Sequence, residues 1–429
     1  NYTLTKKKYS SNFLMDNAGK LIAQFILERI FDPFNKQFII LSGPGNNGGD
    51  AIISHYYLLK YGINSELLLY DDDQFSSTLF NIYKIKSSTI YKYHDSYEFD
   101  INNWYLDGLF GIGLNRKIES LYNKTISKLN NCKNIISIDI PSGIDSNTGC
   151  SFGNFIKPKY TLSMGFPKIG NYFNDGLNYQ GKLYILDIGL VMPGNSIEDV
   201  IKLEKADAKN LFPIHNKNIH KYKKGKLITI GGSISYTGAI ILAIKASLKV
   251  GVGIVKNIIP KSLNSIYEQK LVESISIPLN DNGIGCLSLD NIDDILIECA
   301  WADTVLFGPG LICNDNNWMQ KILKNINCKL VLDASGFIPL IENDITINDL
   351  PKTTILTPHY GEFSKIFNID INDLNNDPIN IVKNIIPKLN TRILVLKGPT
   401  TIIVDSFGKI YIVDIAKNNL ATAGSGDVL

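Results

Sequence analysis

The feature that most restricts this chain is a short apolar run that stops abruptly at a turn rich in glycine or aspartate. Ile39-Ile40-Leu41-Ser42 runs into Gly43-Pro44-Gly45-Asn46-Asn47-Gly48-Gly49-Asp50. Leu106-Asp107-Gly108-Leu109 leads to Phe110-Gly111-Ile112-Gly113, and Ile138-Asp139-Ile140 leads to Pro141-Ser142-Gly143. The pattern returns at Gly231-Gly232-Ser233, Phe307-Gly308-Pro309-Gly310, Leu332-Asp333-Ala334, Leu356-Thr357-Pro358-His359 and Leu396-Lys397-Gly398-Pro399. Helical stretches lie between. Short strands alternating with helices predict parallel α/β layers. In open parallel sheets, ligands gather at the carboxyl ends of strands, which is where these turns fall.

The chain has 429 residues, which favours two or three domains. With 45% hydrophobic and 20% charged residues, it can fill sizeable cores. A formal net charge of +2 gives no basic stripe, so no nucleic-acid partner is expected. No stretch is long and apolar enough to span a bilayer, and no signal peptide is visible. The cysteines, Cys132, Cys150, Cys286, Cys299, Cys313 and Cys328, form no C-x-x-C pair. That argues against a zinc or redox motif and for reduced thiols in a cytoplasm. Both ends look cut. The chain opens on Asn1, and Leu429 follows Gly426-Asp427-Val428, where a helix should begin. A fragment, or the product of a shortened gene, is the expectation.

The first half predicts a helix over Ser11–Ile30, a second from about Asp50, and strands at Gln37–Leu41, Leu67–Tyr70, Trp104–Leu106, Ile135–Ile138, Tyr160–Met164 and Leu183–Asp187. Between Val191 and Lys226 the pattern weakens, and Pro193, Pro213 and two histidines collect there. A domain junction in that stretch divides the chain into 1–205 and 206–429. The second half predicts strands at Leu227–Gly231, Thr304–Phe307, Leu330–Asp333, Thr354–Leu356 and Ile393–Leu396, with a helix near Thr237. Thr401–Val404 and Lys409–Val413 read as a hairpin closed by Asp405–Gly408.

Gly43, Gly45 and Gly48 satisfy G-x-G-x-x-G, with Glu66 or Asp71 as the acidic residue downstream. N–H groups at the start of the following helix have no partner inside it and can hold a phosphate. A tight turn without a ligand is the alternative. Asp107, Asp139 and the Asn47 amide fall at strand ends and can converge there. Oxygen-only ligands of that kind suit a hard cation or sugar hydroxyls. Each aspartate alone reads equally well as a turn former. In the second half, Gly424-Ser425-Gly426-Asp427 leaves N–H groups for an anion hole, with an acid that can take a proton from a hydroxyl. A flexible glycine-rich tail is the plain alternative.

Several segments make the first half resemble the N-terminal, epimerase domain of the bifunctional NAD(P)H-hydrate repair enzymes. They are Leu14-Met15-Asp16-Asn17-Ala18-Gly19, the Asn46–Asp50 turn, Asp107 with Gly111–Gly113, Asp139 to Gly143, Ser163 to Lys168, and Asp187 to Leu190. The resemblance implies a Rossmann-like three-layer sandwich. It implies that Asn46, Asn47, Gly48, Gly49, Asp50, Gly111, Ile112, Gly113, Leu114, Asn115, Arg116, Lys117 and Asp139 bind the hydrated dinucleotide. It also implies a potassium ion on Asn47, Asp107 and Ser142. Inverting the carbon that bears the added hydroxyl requires ring opening or a proton shuttle. Asp139 is the candidate base and Lys168 its ammonium partner; a solvated loop lysine is the alternative for Lys168.

From His220-Lys221-Tyr222-Lys223-Lys224-Gly225 to the end, the chain is similar to the ADP-dependent NAD(P)H-hydrate dehydratases, which implies an incomplete ribokinase-like three-layer sandwich. By that resemblance Ala239, Gly310, His359 and Asp427 contact the hydrate, and Lys397, Gly398, Pro399, Thr400, Thr401 and Gly426 contact the nucleotide. Asp427 is then the base, with ADP as co-substrate and magnesium assisting. His359 read locally is equally a histidine satisfied within its loop. Where the family carries a glycine-asparagine pair, this chain has Ala416-Lys417-Asn418-Asn419. An anion hole needs the helix behind it, so a chain ending at Leu429 is expected to have weak or no dehydratase activity.

The reading is thus a cytoplasmic isomerase and lyase acting on NADH hydrate and NADPH hydrate, forming a homo-oligomer as family members commonly do. Three others stay open: an NAD-dependent oxidoreductase, a ribokinase-type small-molecule kinase, and a degenerate remnant keeping only the epimerase.

Overall fold

The structure is a computed structural model, described here for residues 10–70, 74–118, 120–191, 200–214, 218–313, 315–414 and 422–429. The chain divides into two compact units, Asn1–Ser196 and Ile197–Leu429. No helix among the described residues is long and apolar enough to cross a membrane.

The first unit is built on seven strands: β1 (Phe38–Ser42), β2 (Ser65–Leu69), β3 (Ile90–Lys92), β4 (Trp104–Gly108), β5 (Ile135–Ile138), β6 (Tyr160–Met164) and β7 (Lys182–Leu186). Their order is β3-β2-β1-β4-β5-β6-β7, and all neighbours are parallel. The order turns back on itself between β1 and β4. β1 is buried along its whole length, as a strand covered on both faces must be. Phe38 and Ile40 enter one core with Ile22, Ile26 and Ile53. Ile39 and Leu41 enter the other with Tyr105, Ile126 and Leu129. Two cores flanking one sheet make three layers.

The helix Ser11–Arg29 opens where Ser10 Oγ accepts the Phe13 N–H at 3.2 Å and ends with Arg29 in its last turn. The helix Asn46–Lys60 begins earlier than the expected Asp50. Gly48 and Gly49 are poor helix formers in isolation. Here Gly45 takes φ +84° and the Gly49 N–H reaches the Gly45 carbonyl at 3.1 Å, so the glycine turn is itself the first helical turn.

The second unit carries ten strands: β8 (Val200–Lys202), β9 (Lys226–Ile230), β10 (Ile254–Pro260), β11 (Ile275–Leu279), β12 (Thr304–Phe307), β13 (Lys329–Leu332), β14 (Thr354–Leu356), β15 (Ile393–Leu396), β16 (Thr401–Val404) and β17 (Ile410–Val413). The order is β11-β10-β9-β12-β13-β14-β15-β16-β17-β8. From β11 to β15 every pair is parallel; β16 and β17 form the antiparallel hairpin. β8 pairs with β17, so residues before 206 belong to the second sheet. The helix Thr237–Val250 packs Ile240, Ala243 and Ile244 against β9 and β10 residues Leu227, Val255 and Ile259.

The structure corrects the reading of six reduced thiols. Cys286 and Cys313 are disulfide-bonded with Cα atoms 6.0 Å apart, while Cys132, Cys150, Cys299 and Cys328 form no disulfide. The partners follow β11 and β12, so the fold brings together two residues 27 apart in sequence.

One buried group sets a pH dependence of stability. His55 is fully buried between Ser65 Oγ at 2.9 Å and Thr89 Oγ1 at 3.0 Å. Burial pulls its imidazole down to about 4. Below the ordinary value of about 6.5 the unfolded chain takes a proton that the folded chain refuses. Stability should therefore fall as pH drops from about 6.5 to about 4, by up to about 3 kcal/mol from this residue. Thermal unfolding of His55→Gln should show a shallower loss than wild type over that window; parallel curves would contradict it.

Candidate functional site

β1 ends at Ser42, and the chain turns at Gly43 into the helix Asn46–Lys60. The turn is very tight. A Cβ on Gly43 would stand 2.0 Å from the Leu109 carbonyl oxygen, and one on Gly48 would stand 1.9 Å from the Gly43 carbonyl oxygen. Both obstacles are backbone, so only glycine fits. Ser42 Oγ lies 3.1 Å from the Gly48 carbonyl and fastens the turn. No side chain caps the helix start, which leaves its first N–H groups for a ligand.

The strand order reverses at this point, and the loops after β1 and β4 part to leave a cleft of about 400 Å³. Asn46, Asn47 and Asp50 line it on the β1 side. Gly111, Ile112, Gly113, Leu114, Asn115 and Arg116 line the β4 side, and Asp139 joins them after β5. Gly48 and Gly49 are buried and Lys117 is exposed, and none of the three lines the cleft. Pro44, Gly45, Phe110 and Met164 complete the lining. None of these four is among the expected binding residues, although all lie inside or beside segments that the sequence singles out, Gly45 within its G-x-G-x-x-G pattern.

Asp139 is held in a left-handed conformation, φ +68°, which an aspartate adopts only when its surroundings impose it. Its Oδ1 accepts the Met164 N–H at 3.0 Å and is ion-paired with the Lys168 ammonium. Lys168 Nζ also lies 3.2 Å from Ser163 Oγ, 3.2 Å from the Met164 carbonyl and 3.0 Å from the Phe166 carbonyl. Asp50 has a different environment. Burial above all, then the Asp139 carboxylate, push its carboxyl well above the usual range, and Lys168 offsets part of this.

Asp107 is fully buried one layer below the cleft. Its carboxylate accepts from Ser142 Oγ at 2.6 Å, Ser137 Oγ at 2.7 Å and the Ser142 N–H at 3.0 Å. Burial raises its pKa and these hydrogen bonds oppose the rise. Ser142 Oγ accepts the Phe110 N–H at 2.9 Å, and Asn47 Nδ2 donates to the Phe110 carbonyl at 2.8 Å. Asn47 and Ser142 thus both bond to the Phe110 backbone, and Asp107 joins them through Ser142. Among the described residues no cluster of three or more His, Cys, Asp or Glu side chains could hold a metal. The set here is amide, hydroxyl, carbonyl and one carboxylate, which fits a hard cation of low charge.

In the second unit the strand ends of β9, β12, β13 and β14 lie side by side. Gly310 faces Tyr236 and Ala239, and its carbonyl accepts from Ser233 Oγ at 2.8 Å. A separate cavity of about 220 Å³ is lined by Asp333, Thr357, Gly426 and Asp427, among others. Lys397 Nζ sits 2.6 Å from Asp333 Oδ1, and Thr357 Oγ1 donates to the same oxygen at 2.8 Å. Burial, then the Asp333 carboxylate, raise the Asp427 pKa, and Lys397 lowers it. Asp333 was absent from the residues expected to act, although it ends an apolar strand as Asp107 and Asp139 do. Gly398, Pro399, Thr400 and Thr401 form the connection from β15 into β16, with Thr400 buried and Gly398 against the Tyr360 ring. His359 does not line the Asp427 cavity. Its Nδ1 accepts the Gly361 and Glu362 N–H groups at 3.0 and 3.2 Å and caps the helix Tyr360–Phe367, while the side chain stays 61% exposed. The segment Ala416–Asn419 and Asp71 lie outside the described residues.

Residues 11–170 match a family model described as YjeF-related protein N-terminus, and residues 227–429 match one described as NAD(P)H-hydrate dehydratase. The bifunctional NAD(P)H-hydrate repair enzyme of Dictyoglomus turgidum is 34% identical over 441 residues, covering 97% of this chain and 83% of its own length. That of Thermofilum pendens is 30% identical, covering 97% of this chain and 81% of its own. This chain belongs to the bifunctional NAD(P)H-hydrate repair enzymes. Among solved structures, a ribokinase-like superfamily protein of Enterococcus faecalis V583 shares 20% identity at a TM-score of 0.47, over 55% of this chain and 79% of its own.

The cleft of this family member rests on the close approach at Gly48. Gly48→Ala should force the turn open, cost on the order of 2 kcal/mol in denaturant unfolding, and weaken dinucleotide binding at least about tenfold. Unchanged stability and binding would show that the turn has room to spare.

Proposed function

We propose that this chain repairs hydrated nicotinamide dinucleotides in two steps, interconverting the R and S forms of NADH hydrate and NADPH hydrate and then dehydrating the S form with ADP. The observation that carries the first step is the cleft at the β1/β4 reversal, where free helix N–H groups face a paired Asp139 and Lys168. The N–H groups suit the pyrophosphate, and Asp139 suits the hydroxyl of the altered ring. Lys168 is ion-paired with Asp139 and keeps its carboxylate in place. Asn46, Asn47, Asp50 and the Gly111–Arg116 segment then form the walls of the substrate site, with Lys117 at its outer edge. Asn47, Asp107 and Ser142 would hold potassium, which would supply a fixed positive charge to the site.

For the second step, Asp427 takes the proton of the hydrate's hydroxyl as that oxygen attacks the terminal phosphoryl group of ADP. The bond to AMP breaks, and the hydroxyl becomes a phosphate ester. Loss of the ester as phosphate, with a ring proton, leaves the dihydronicotinamide. The Gly424–Gly426 N–H groups are positioned by sequence to receive the charge on the moving phosphoryl group. Asp333, through Lys397, keeps an ammonium beside Gly426 and Asp427. Magnesium, when bound near the Asp333 and Asp427 carboxylates, neutralises phosphate charge. Ala239 and Gly310 then face the hydrate and Lys397–Thr401 flank the nucleotide, while His359, which caps its own helix, is left out of this step. A cytoplasmic setting, with the dinucleotide pool, and a homo-oligomeric state go with this reading.

The test is incubation of the protein with a separated R hydrate. Appearance of the S form without ADP supports the epimerase, and Asp139→Asn should slow it at least about 100-fold. Growth of absorbance at 340 nm on adding ADP supports the dehydratase. An R hydrate that persists at its spontaneous rate would overturn the first assignment.

A further inference from the structure

The cleft holds two carboxyl groups, Asp50 and Asp139, and one nearby ammonium, Lys168. The three are not equivalent. Lys168 Nζ is spent on four oxygens, those of Asp139, Ser163, Met164 and Phe166, and the residue is not part of the cleft lining. An ammonium has three protons to donate, so this one has none left for a ligand. Asp139 lines the cleft as a carboxylate held by the ammonium and the Met164 N–H. Asp50 also lines the cleft, from the first turns of the helix Asn46–Lys60. Its carboxyl accepts no hydrogen bond among the described residues.

Resting on the epimerase reading, we propose that Asp50 is the general acid of the epimerisation, that Asp139 is the base, and that Lys168 is a positioning residue that never transfers a proton to substrate. The chemistry of the hydrate asks for such a pair. Its hydroxyl sits on the carbon beside the ring nitrogen, so the centre is a hemiaminal. Asp139 removes the hydroxyl proton. The electron pair of the O–H bond forms the carbonyl, the carbon–nitrogen bond breaks, and its pair goes to the ring nitrogen, which takes the Asp50 proton. The product is an open aldehyde with an N–H group, with no change in oxidation level. Rotation presents the other face of the aldehyde. The nitrogen attacks it, returning its proton to Asp50, while the new alkoxide recovers the proton from Asp139. Both acids end as they began and the centre is inverted.

The electrostatics agree with this division. Burial and the neighbouring Asp139 favour the protonated form of Asp50, and Lys168 opposes them. Arg116 is the further charged group on the cleft lining. Two carboxyl groups in one site with environments that drive them apart divide into acid and base. A donor that must be protonated gives a rate that falls as pH rises through its pKa.

The experiment measures epimerisation of NADPH hydrate against pH for wild type, Asp50→Asn and Lys168→Gln, with thermal unfolding of each. For Asp50→Asn, kcat should fall at least about 100-fold with KM within about threefold, and the alkaline decline should vanish. For Lys168→Gln, the rate should fall but the alkaline decline should remain. The assignment is overturned if Asp50→Asn, folded as wild type, keeps its kcat, or loses KM alone. It is equally overturned if Lys168→Gln abolishes the decline. Wild type that fails to epimerise would instead remove the functional reading on which the assignment rests.

Discussion

The first unit is organised by the pairing of β1 with β4, from Phe38 against Trp104 to Ser42 against Gly108. Because the strand order reverses here, the chain leaves the two carboxyl ends in opposite directions. A gap is then unavoidable, and its walls are whatever follows Ser42 and Gly108. The sequence fills these places with glycines that let backbone meet backbone, at Gly43 against Leu109 and Gly48 against Gly43. The helix start is drawn down to the strand end, and its unpaired N–H groups face the gap. Ligand site and packing constraint are the same feature.

Both units place charge at strand ends in the same manner. An aspartate closes an apolar strand, and a lysine from a later segment neutralises it: Asp139 with Lys168, and Asp333 with Lys397 at 2.6 Å. Pairing offsets the cost of burying a charge, and the lysine fixes the direction of the carboxylate. A second acid then stands near each pair, Asp50 in one unit and Asp427 in the other, and in each burial first, then the neighbouring carboxylate, raises its pKa. Asp107 is the exception. It has hydroxyl and N–H partners instead of a cation, as suits a group lying beside oxygens able to take a metal ion.

Much of this was legible in the sequence because buried parallel strands are largely apolar runs. β1, β5 and β12 stand out for that reason, and β6 and β14 by apolar residues mixed with serine or threonine. β10 was missed because Lys256 and Asn257 interrupt its run, and β3 and β8 because each has only two apolar residues before a lysine. The helix start at Asn46 was placed late because glycine propensity argues against a helix that tertiary packing enforces. In the first site, strand-end acids and glycine turns identified most of the lining. They did not reveal that Lys168 is enclosed by four oxygens, which depends on how the loop after β6 folds. In the second, the Thr357–Pro358–His359 turn concealed that His359 is occupied in capping a helix, and the strand-end position of Asp333 did not show its pairing with Lys397 from a later segment. The Cys286–Cys313 bond was invisible because the two residues, 27 apart in sequence, meet only through the loops that follow β11 and β12.

The central claim is that the gap between the ends of β1 and β4 holds the damaged dinucleotide. Crystals soaked with NADPH hydrate test it most directly. The account predicts density for the pyrophosphate at the N–H groups of Asn46 and Asn47, and the hydrated ring between Asp50 and Asp139. Density for the ligand anywhere else in the first unit, with this cleft filled only by water, would contradict it.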